Sequence, residues 1–247
     1  QEALALASGV VVAVPPAMQS QIIKECVKFE NIQNYIIEKP LAQNPKEAAI
    51  LMDILANPNH KISIGFTIAD LDIFDMPMFV ESNTESPGPI MLAWTFNAHH
   101  FKNEVNTWKS KHSLGGGAIR FYGIHIIALV ARIGYTTVIR SSVGLKNGEP
   151  YLWKATFEGD GLKKVEILVN SNCNKQKFEL TIDNKSIFSK KSPFESPKTS
   201  NLIDGRVQAL KTTINRNFNN KKYICDLSAK VIKLWKDVEA NLTNIKL

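Results

Sequence analysis

Two residues in this sequence have types and settings suited to proton chemistry. One residue separates Lys39 from Asn34 to Ile37, which reads as a short buried strand ending at Glu38-Lys39-Pro40. A lysine at a strand end puts its ammonium at the carboxyl edge of a sheet, and the following proline biases it to an extended conformation. Partial desolvation lowers a lysine's proton affinity, so that it can donate to, or polarise, a substrate oxygen. A plain surface lysine is the alternative. His125 stands in an otherwise apolar run of Ile124, Ile126, Ile127, Ala128 and Leu129. A polar group there needs a partner or a ligand, and an imidazole can shuttle a proton near neutrality. A core histidine capped by a carbonyl is the competing reading.

Other residues carry weaker signals. His99 and His100 follow a strand over Ile90 to Phe96, so one of them could face a substrate or both could sit in a solvated loop. His99, His100 and His112 have no metal-ligand spacing, and neither do Cys26, Cys173 and Cys225. Trp94 and Trp108 suit a pocket wall or plain core. Lys109 and Lys111 could neutralise a substrate phosphate or be exposed charge. No G-x-S-x-G elbow and no G-x-x-x-x-G-K-[ST] loop occurs.

The elements that must position these residues alternate at first. Gly9 to Val14 is a β-branched run, as expected of a strand covered on both faces, and it ends at Pro15-Pro16. A helix follows with Met18, Ile22, Ile23, Cys26 and Val27 on one face. After Asn34 to Ile37, Asn44 caps the next helix, with Pro45 at its first position, Glu47 completing a capping box, and Ala48, Leu51, Met52 and Leu55 at helical spacing. Lys61 to Phe66 is a third strand. This alternation predicts a parallel α/β sheet.

Beyond Thr67 the texture changes. Pro77, Pro87, Gly88 and Pro89 break the chain, Ile90 to Phe96 resumes it, and Gly115-Gly116-Gly117 opens an apolar helix to about Ile133. Alternating strands follow. Trp153, Ala155 and Phe157 face one way and Lys154 and Thr156 the other. Val165, Ile167 and Val169 return across Gly159-Asp160-Gly161, and Phe178, Leu180 and Ile182 turn at Asp183-Asn184 into Ile187-Phe188. A final helix carries Leu227, Val231, Leu234, Trp235, Val238 and Leu242 on one stripe. The expected organisation is residues 1–66 as an α/β part and residues 67–247 as an α+β part with a large, mostly antiparallel open sheet.

Three motifs in order, Val14-Pro15-Pro16 after a strand, Ile37-Glu38-Lys39-Pro40-Leu41-Ala42, and Gly115-Gly116-Gly117-Ala118-Ile119 with Gly123-Ile124-His125, resemble the Gfo/Idh/MocA oxidoreductases. Asn201 to Val207 and Leu234-Trp235 fit too, so the resemblance covers almost the whole chain. It implies a Rossmann-type nucleotide domain, here its second half, joined to a substrate-binding and oligomerisation domain. It implies NAD or NADP as cofactor, a sugar-like or cyclitol substrate that includes nucleotide-sugars, and a homo-oligomer, dimer or tetramer, through the C-terminal sheet. It makes Val14, Pro15, Pro16, Glu38, Lys39 and Pro40 the cofactor-side residues, Lys39 and His125 the catalytic pair, and Lys39, Tyr122, His125 and His99 the substrate side, with no metal.

The sequence departs from that pattern in two respects. Phe121 stands where an acid often precedes the histidine by four residues, and Ala128 occupies a second acidic position. Tyr122, about a quarter-turn away, is no equivalent of the lost acid. The Gly-rich pyrophosphate fingerprint is also absent. The resemblance therefore expects two further strand–helix units, roughly 60 residues at about 30 per unit, ahead of Gln1. A non-catalytic relative that binds a ligand or serves assembly is the competing reading.

Composition is compatible with either. The 247 residues, 44% hydrophobic and 21% charged, exclude disorder and low complexity. The net charge of +7 comes from scattered lysines, which argues for a solvated surface or an anionic ligand and against nucleic acid. Three cysteines make no disulfide framework, so a reducing, cytoplasmic setting is expected. Gln1-Glu2-Ala3 lacks the basic region of a signal peptide, and Phe121 to Ala131 is too short for a membrane span.

Overall fold

The computed structural model describes residues 2–71, 79–80, 88–195 and 204–245. The first part alternates as its hydrophobic pattern predicts. After a short helix α1 (Glu2–Leu6) come β1 (Gly9–Val12), α2 (Pro16–Cys26), β2 (Asn34–Ile37), α3 (Pro45–Leu55) and β3 (Lys61–Ile64). The three strands pair in parallel in the order β1-β2-β3, with Val12, Ile37 and Ile64 ending level on one edge. The predicted cap of α3 is formed: Asn44 Oδ1 accepts from the Glu47 N–H at 3.0 Å, with Pro45 in the first turn.

Two expectations for this part are corrected. β1 is not covered on both faces. Among the described residues it is the edge of its sheet and stops at Val12, and Val11 is 70% exposed because nothing described packs over that face. The buried face of α2 is Gln19, Ser20, Ile23 and Cys26, while Met18 is turned to solvent. Ile22 and Val27 pack at its margin. Gln19 can be buried because its Nε2 donates to the Pro40 carbonyl at 2.7 Å.

The second sheet has seven strands. These are β4 (Ile90–Asn97), β5 (Thr137–Lys146), β6 (Glu149–Gly159), β7 (Leu162–Asn170), β8 (Asn172–Ile182), β9 (Lys185–Lys190) and β10 (Leu242–Asn244), ordered β10-β5-β6-β7-β4-β8-β9. The sheet is mixed: β4–β7 and β10–β5 are parallel, the other neighbours antiparallel. The hairpin at Asp183-Asn184 is formed with φ of 50° and 63°, the left-handed pair that a two-residue connection demands. Trp153, Ala155 and Phe157 are buried as expected, with Lys154 outside.

Helices α4 (His99–Lys102), α5 (Ile124–Ile133), α6 (Gly205–Asn219) and α7 (Lys221–Ala240) complete the protein. The apolar helix after the glycines is not one α-helix, since residues Ala118–Gly123 form a π-helical turn ahead of α5. Leu242 is not on the last helix; it opens β10. α7 packs on α3 and α5, and α6 lies on β3, so that buried residues of both parts form one cluster. The breaks expected at Pro77 and Pro87, and Asn201 to Ile203 of the late motif, lie outside the described residues. Asp204 caps α6, its side chain accepting from the Arg206 N–H.

Gly123 is needed for close approach rather than for unusual dihedrals. A Cβ there would lie 2.8 Å from a Trp153 ring carbon and 2.9 Å from the Ala118 carbonyl. Both obstacles are rigid. Gly123→Ala is therefore expected to destabilise the protein by about 2 kcal/mol. Urea denaturation measures this, and an unchanged midpoint would show that Trp153 yields.

Candidate active site

The three parallel strands end together, so the segments that follow them converge on one edge. Backbone bonds carry the alignment one residue further: Glu38 N–H donates to the Val12 carbonyl and Gly65 N–H to the Ile37 carbonyl, each at 2.9 Å. On this edge lie Val14 and Pro15, half-buried, Pro16, buried, Glu38, exposed, and Lys39, half-buried. The Lys39–Pro40 peptide is cis.

The glycine run brings the second part of the chain onto that edge. Gly115, at φ 88°, leaves no room for a side chain: a Cβ would sit 2.8 Å from Pro16 Cγ. A Cβ on Gly116 would strike the Trp108 carbonyl. With these contacts made, the π-helical turn hangs over the strand ends. Lys39 Nζ donates to the Phe121 carbonyl at 2.8 Å and lies 3.7 Å from the centroid of the Phe121 ring. The residue in the expected acid position therefore receives the lysine through a carbonyl and a π face. Desolvation, with the Lys109 charge adding to it and Glu38 opposing, pushes the Lys39 pKa down to about 7.

His125 is 94% buried in the first turn of α5, and its Nδ1 has no hydrogen-bond partner. The carbonyl-capped alternative is thereby not met at that nitrogen. Burial, followed by the nearby Lys39 charge, holds the imidazole well below its ordinary pKa, so the ring is neutral at pH 7. Its walls are aromatic. Trp94 lies 6.5 Å and Phe194 6.4 Å from it, centroid to centroid. Tyr122 packs edge-on against Trp94 at 5.9 Å and Phe96 at 4.7 Å, and burial raises its phenol above the usual tyrosine range. Tyr122 thus joins the aromatic wall around His125 through Trp94, and its hydroxyl remains a donor.

The histidine pair after β4 divides differently from the expectation. His99 is exposed, whereas His100 is buried and stacks at 6.5 Å on Tyr122. Helical alternation at α4 turns one inward, and the sequence could not say which. Trp108 contacts the Phe121 ring edge-on at 5.2 Å, so it is part of the wall.

A polar network holds the turn in place, and sequence reasoning missed it. Arg120 makes two bonds to Glu239 of α7, at 2.6 and 2.8 Å, and a third to the His112 carbonyl at 3.0 Å. Trp235 Nε1 also donates to Glu239 Oε1 at 2.8 Å, and Glu149 accepts from the His112 N–H at 2.8 Å. The partners are 119 residues apart, beyond any spacing rule. Among the described residues no group of three or more His, Cys, Asp or Glu could hold a metal ion, and no helix is long and apolar enough to cross a membrane.

No protein-family model and no curated protein matches the sequence. Solved structures do match in fold. The WlbA (WbpB) dehydrogenase from Thermus thermophilus, in complex with NAD and UDP-GlcNAcA, superposes with a TM-score of 0.65 at 14% identity, over 98% of this chain and 74% of that one. KijD10, a 3-ketoreductase from Actinomadura kijaniata in complex with NADP and TDP-benzene, gives 0.69 at 11% identity, over 100% and 83%. The scyllo-inositol dehydrogenase from Lactobacillus casei gives 0.63 at 12%, over 95% and 76%. At these identities the likeness establishes the fold.

Proposed function

We propose that this chain belongs to a nicotinamide-dependent oxidoreductase of the Gfo/Idh/MocA type, acting on a sugar-like or cyclitol alcohol or ketone, nucleotide-sugars included. One observation carries the reading. The bond from Lys39 Nζ to the Phe121 carbonyl joins the strand edge to the π-helical turn, four residues ahead of a buried, neutral His125 with a free ring nitrogen. The relatives in fold support it, because the WlbA structure holds NAD with UDP-GlcNAcA and the KijD10 structure holds NADP with TDP-benzene. Residues 1–66 form the cofactor side and residues 67–247 the substrate side.

A nicotinamide cofactor held at this edge would supply the hydride chemistry. Val14, Pro15, Pro16, Glu38, Lys39 and Pro40 suit its edge of the site, for Gly115 on Pro16 shapes a close-fitting floor there. The remaining work belongs to side chains. Lys39 polarises the reacting oxygen and exchanges a proton with it. His125 accepts a hydrogen bond from the substrate hydroxyl at its free nitrogen while Lys39 takes up the proton, and Tyr122 and Trp94 keep water out. The fingerprint that cradles a pyrophosphate is not among these 247 residues. The free edge of β1 is where further parallel strands carrying it would pair. The outer face of the seven-stranded sheet, with Met91 exposed beside Arg140 and Glu166, is where a second copy would pack.

Titration of the full-length protein with NADH and NADPH, followed by nucleotide fluorescence, tests the reading. Saturable binding of one of them is expected, with turnover on a panel of sugars and nucleotide-sugars. Failure of both to bind would sink it and favour a ligand-binding relative, a reading that the uncharged Phe121 also supports.

A further inference from the structure

Lys39 sits where a lysine left to itself would not stay. Its Nζ is held on the Phe121 carbonyl at 2.8 Å and against the Phe121 ring, and desolvation is the largest cause of its lowered proton affinity. A long side chain loses rotamer freedom when fixed in one place, and an ammonium loses water. One hydrogen bond to a neutral carbonyl offsets little of either. Lys39 is only half-buried, so a route back to solvent is open to it. Its placement must therefore be imposed by other residues.

Two chains of contacts impose it, one on each partner of that bond. On the lysine's side, the Glu38 N–H donates to the Val12 carbonyl at 2.9 Å. Just beyond Lys39, the buried Pro40 offers its carbonyl to Gln19 Nε2 at 2.7 Å. Gln19 is fully buried on α2, so its amide cannot turn to water instead. The backbone of Lys39 is thus tied on both sides. On the carbonyl's side, Arg120 comes immediately before Phe121. It pairs with both oxygens of Glu239 on α7, at 2.6 and 2.8 Å, and donates to the His112 carbonyl at 3.0 Å. Trp235 Nε1 steadies that carboxylate at 2.8 Å. Neither Gln19 nor Glu239 bonds to Lys39; each reaches it through backbone.

We propose that Gln19 and the Arg120–Glu239 pair are positioning residues that hold Lys39 Nζ on the Phe121 carbonyl, Gln19 through the lysine's own backbone and Arg120 through that of the carbonyl. The inference rests on Lys39 as the proton-transfer group of the oxidoreductase reading and adds what keeps that group in place. A misplacement of about 1 Å at such a group can cost roughly 10²-fold in rate.

The rate at which trace acetic anhydride acetylates Lys39 in the full-length protein, followed across pH by peptide mass spectrometry, reads its titration without any nucleotide. A midpoint of about 7 is expected in the parent. Gln19→Met keeps the volume and loses the donor, and Glu239→Gln loses the ion pair. In each, the released ammonium regains water and the midpoint rises towards 10.5, in Gln19→Met by about one pH unit or more, a tenfold change in proton affinity. For Glu239→Gln the sign is diagnostic, because losing a negative charge through space alone would lower the midpoint. Both variants act on one bond, so the double variant should shift little further than the larger single one. The charged and titratable groups that face Lys39, which are Glu38, Lys109 and His125, are the same in all of them. Tyr135→Phe breaks a bond to the Lys163 carbonyl beyond the far end of α5 and should leave the midpoint where it is. A parent midpoint already near 10.5, an unmoved midpoint in either single variant, a fall in Glu239→Gln, additive shifts in the double variant, or an equal shift in Tyr135→Phe would overturn the inference. The expected shifts in a protein that binds neither NADH nor NADPH would leave it standing and sink the oxidoreductase reading. Nucleotide binding with an unmoved midpoint would do the reverse.

Discussion

Lys39→Met is expected to lower kcat by roughly 10²- to 10⁴-fold, the range for removal of a positioned proton-transfer group. Methionine keeps the apolar stem of lysine but ends one atom short, so the stem's packing is retained while the ammonium, its proton and its contacts with Phe121 are lost. The direction of the pH dependence follows from a folded pKa of about 7. Ketone reduction needs the ammonium and falls as pH rises through about 7. Alcohol oxidation needs the free amine and rises through the same point. Both inflections should vanish in the variant. Stability moves the other way. Lys39 is less basic in the folded protein than its ordinary 10.5, so between about 7 and 10.5 the unfolded chain holds more protons and stability rises with pH. Below about pH 7 the cost of the confined charge is fully present. Lys39→Met should therefore be more stable than the parent at pH 6, and the gap should close towards pH 10. Unchanged turnover, or a loss of stability at pH 6, would remove Lys39 from its assigned role.

Glu239→Ala is expected to cost about 3 kcal/mol of stability. The carboxylate is 19% exposed and its partner Arg120 12%, so neither is well solvated. Truncation removes two of the guanidinium's three bonds and the acceptor of the Trp235 N–H together, and an unmade bond in a dry setting costs more than a made one contributes. The loss should reach the site, because Arg120 belongs to the turn that carries Phe121 and Tyr122. Glu239→Gln, which can still accept from Trp235, should fall between the two. Guanidinium denaturation reads the effect. A change within about 0.5 kcal/mol, the range of an ordinary surface substitution, would mean the network is dispensable.

What was illegible in the sequence has recognisable causes. β5 alternates poorly, since Arg140, Ser141 and Ser142 follow one another and its pairing with β6 shifts at Val138/Arg140. α6 buries Ala209, Thr213 and Asn217, a small and polar stripe with little hydrophobic signal, because Asn217 finds a partner in Ser63. The covered strand expected at Gly9 to Val14 went wrong for another reason. A β-branched run reports what could be buried, and the neighbours alone decide what is. Which of His99 and His100 turns inward was equally illegible, on a helix only four residues long.

Within single segments the sequence sufficed. Apolar periodicity, the Asn44 cap and the Asp183-Asn184 turn are local matters of dihedral preference and hydrogen bonding, and they set the strands and helices before any packing. The same local order put a lysine at a strand end and a histidine in an apolar helix. That the two come close enough for the lysine's charge to reach the imidazole was decided only in three dimensions. A π-helical turn rotates the Phe121 carbonyl onto an ammonium 82 residues away, the glycines let Pro16 close beneath it, and a carboxylate from α7 pins the turn. The field these contacts create depends on distance through space, and linear spacing does not encode it. It leaves the lysine poised near neutrality and the imidazole uncharged.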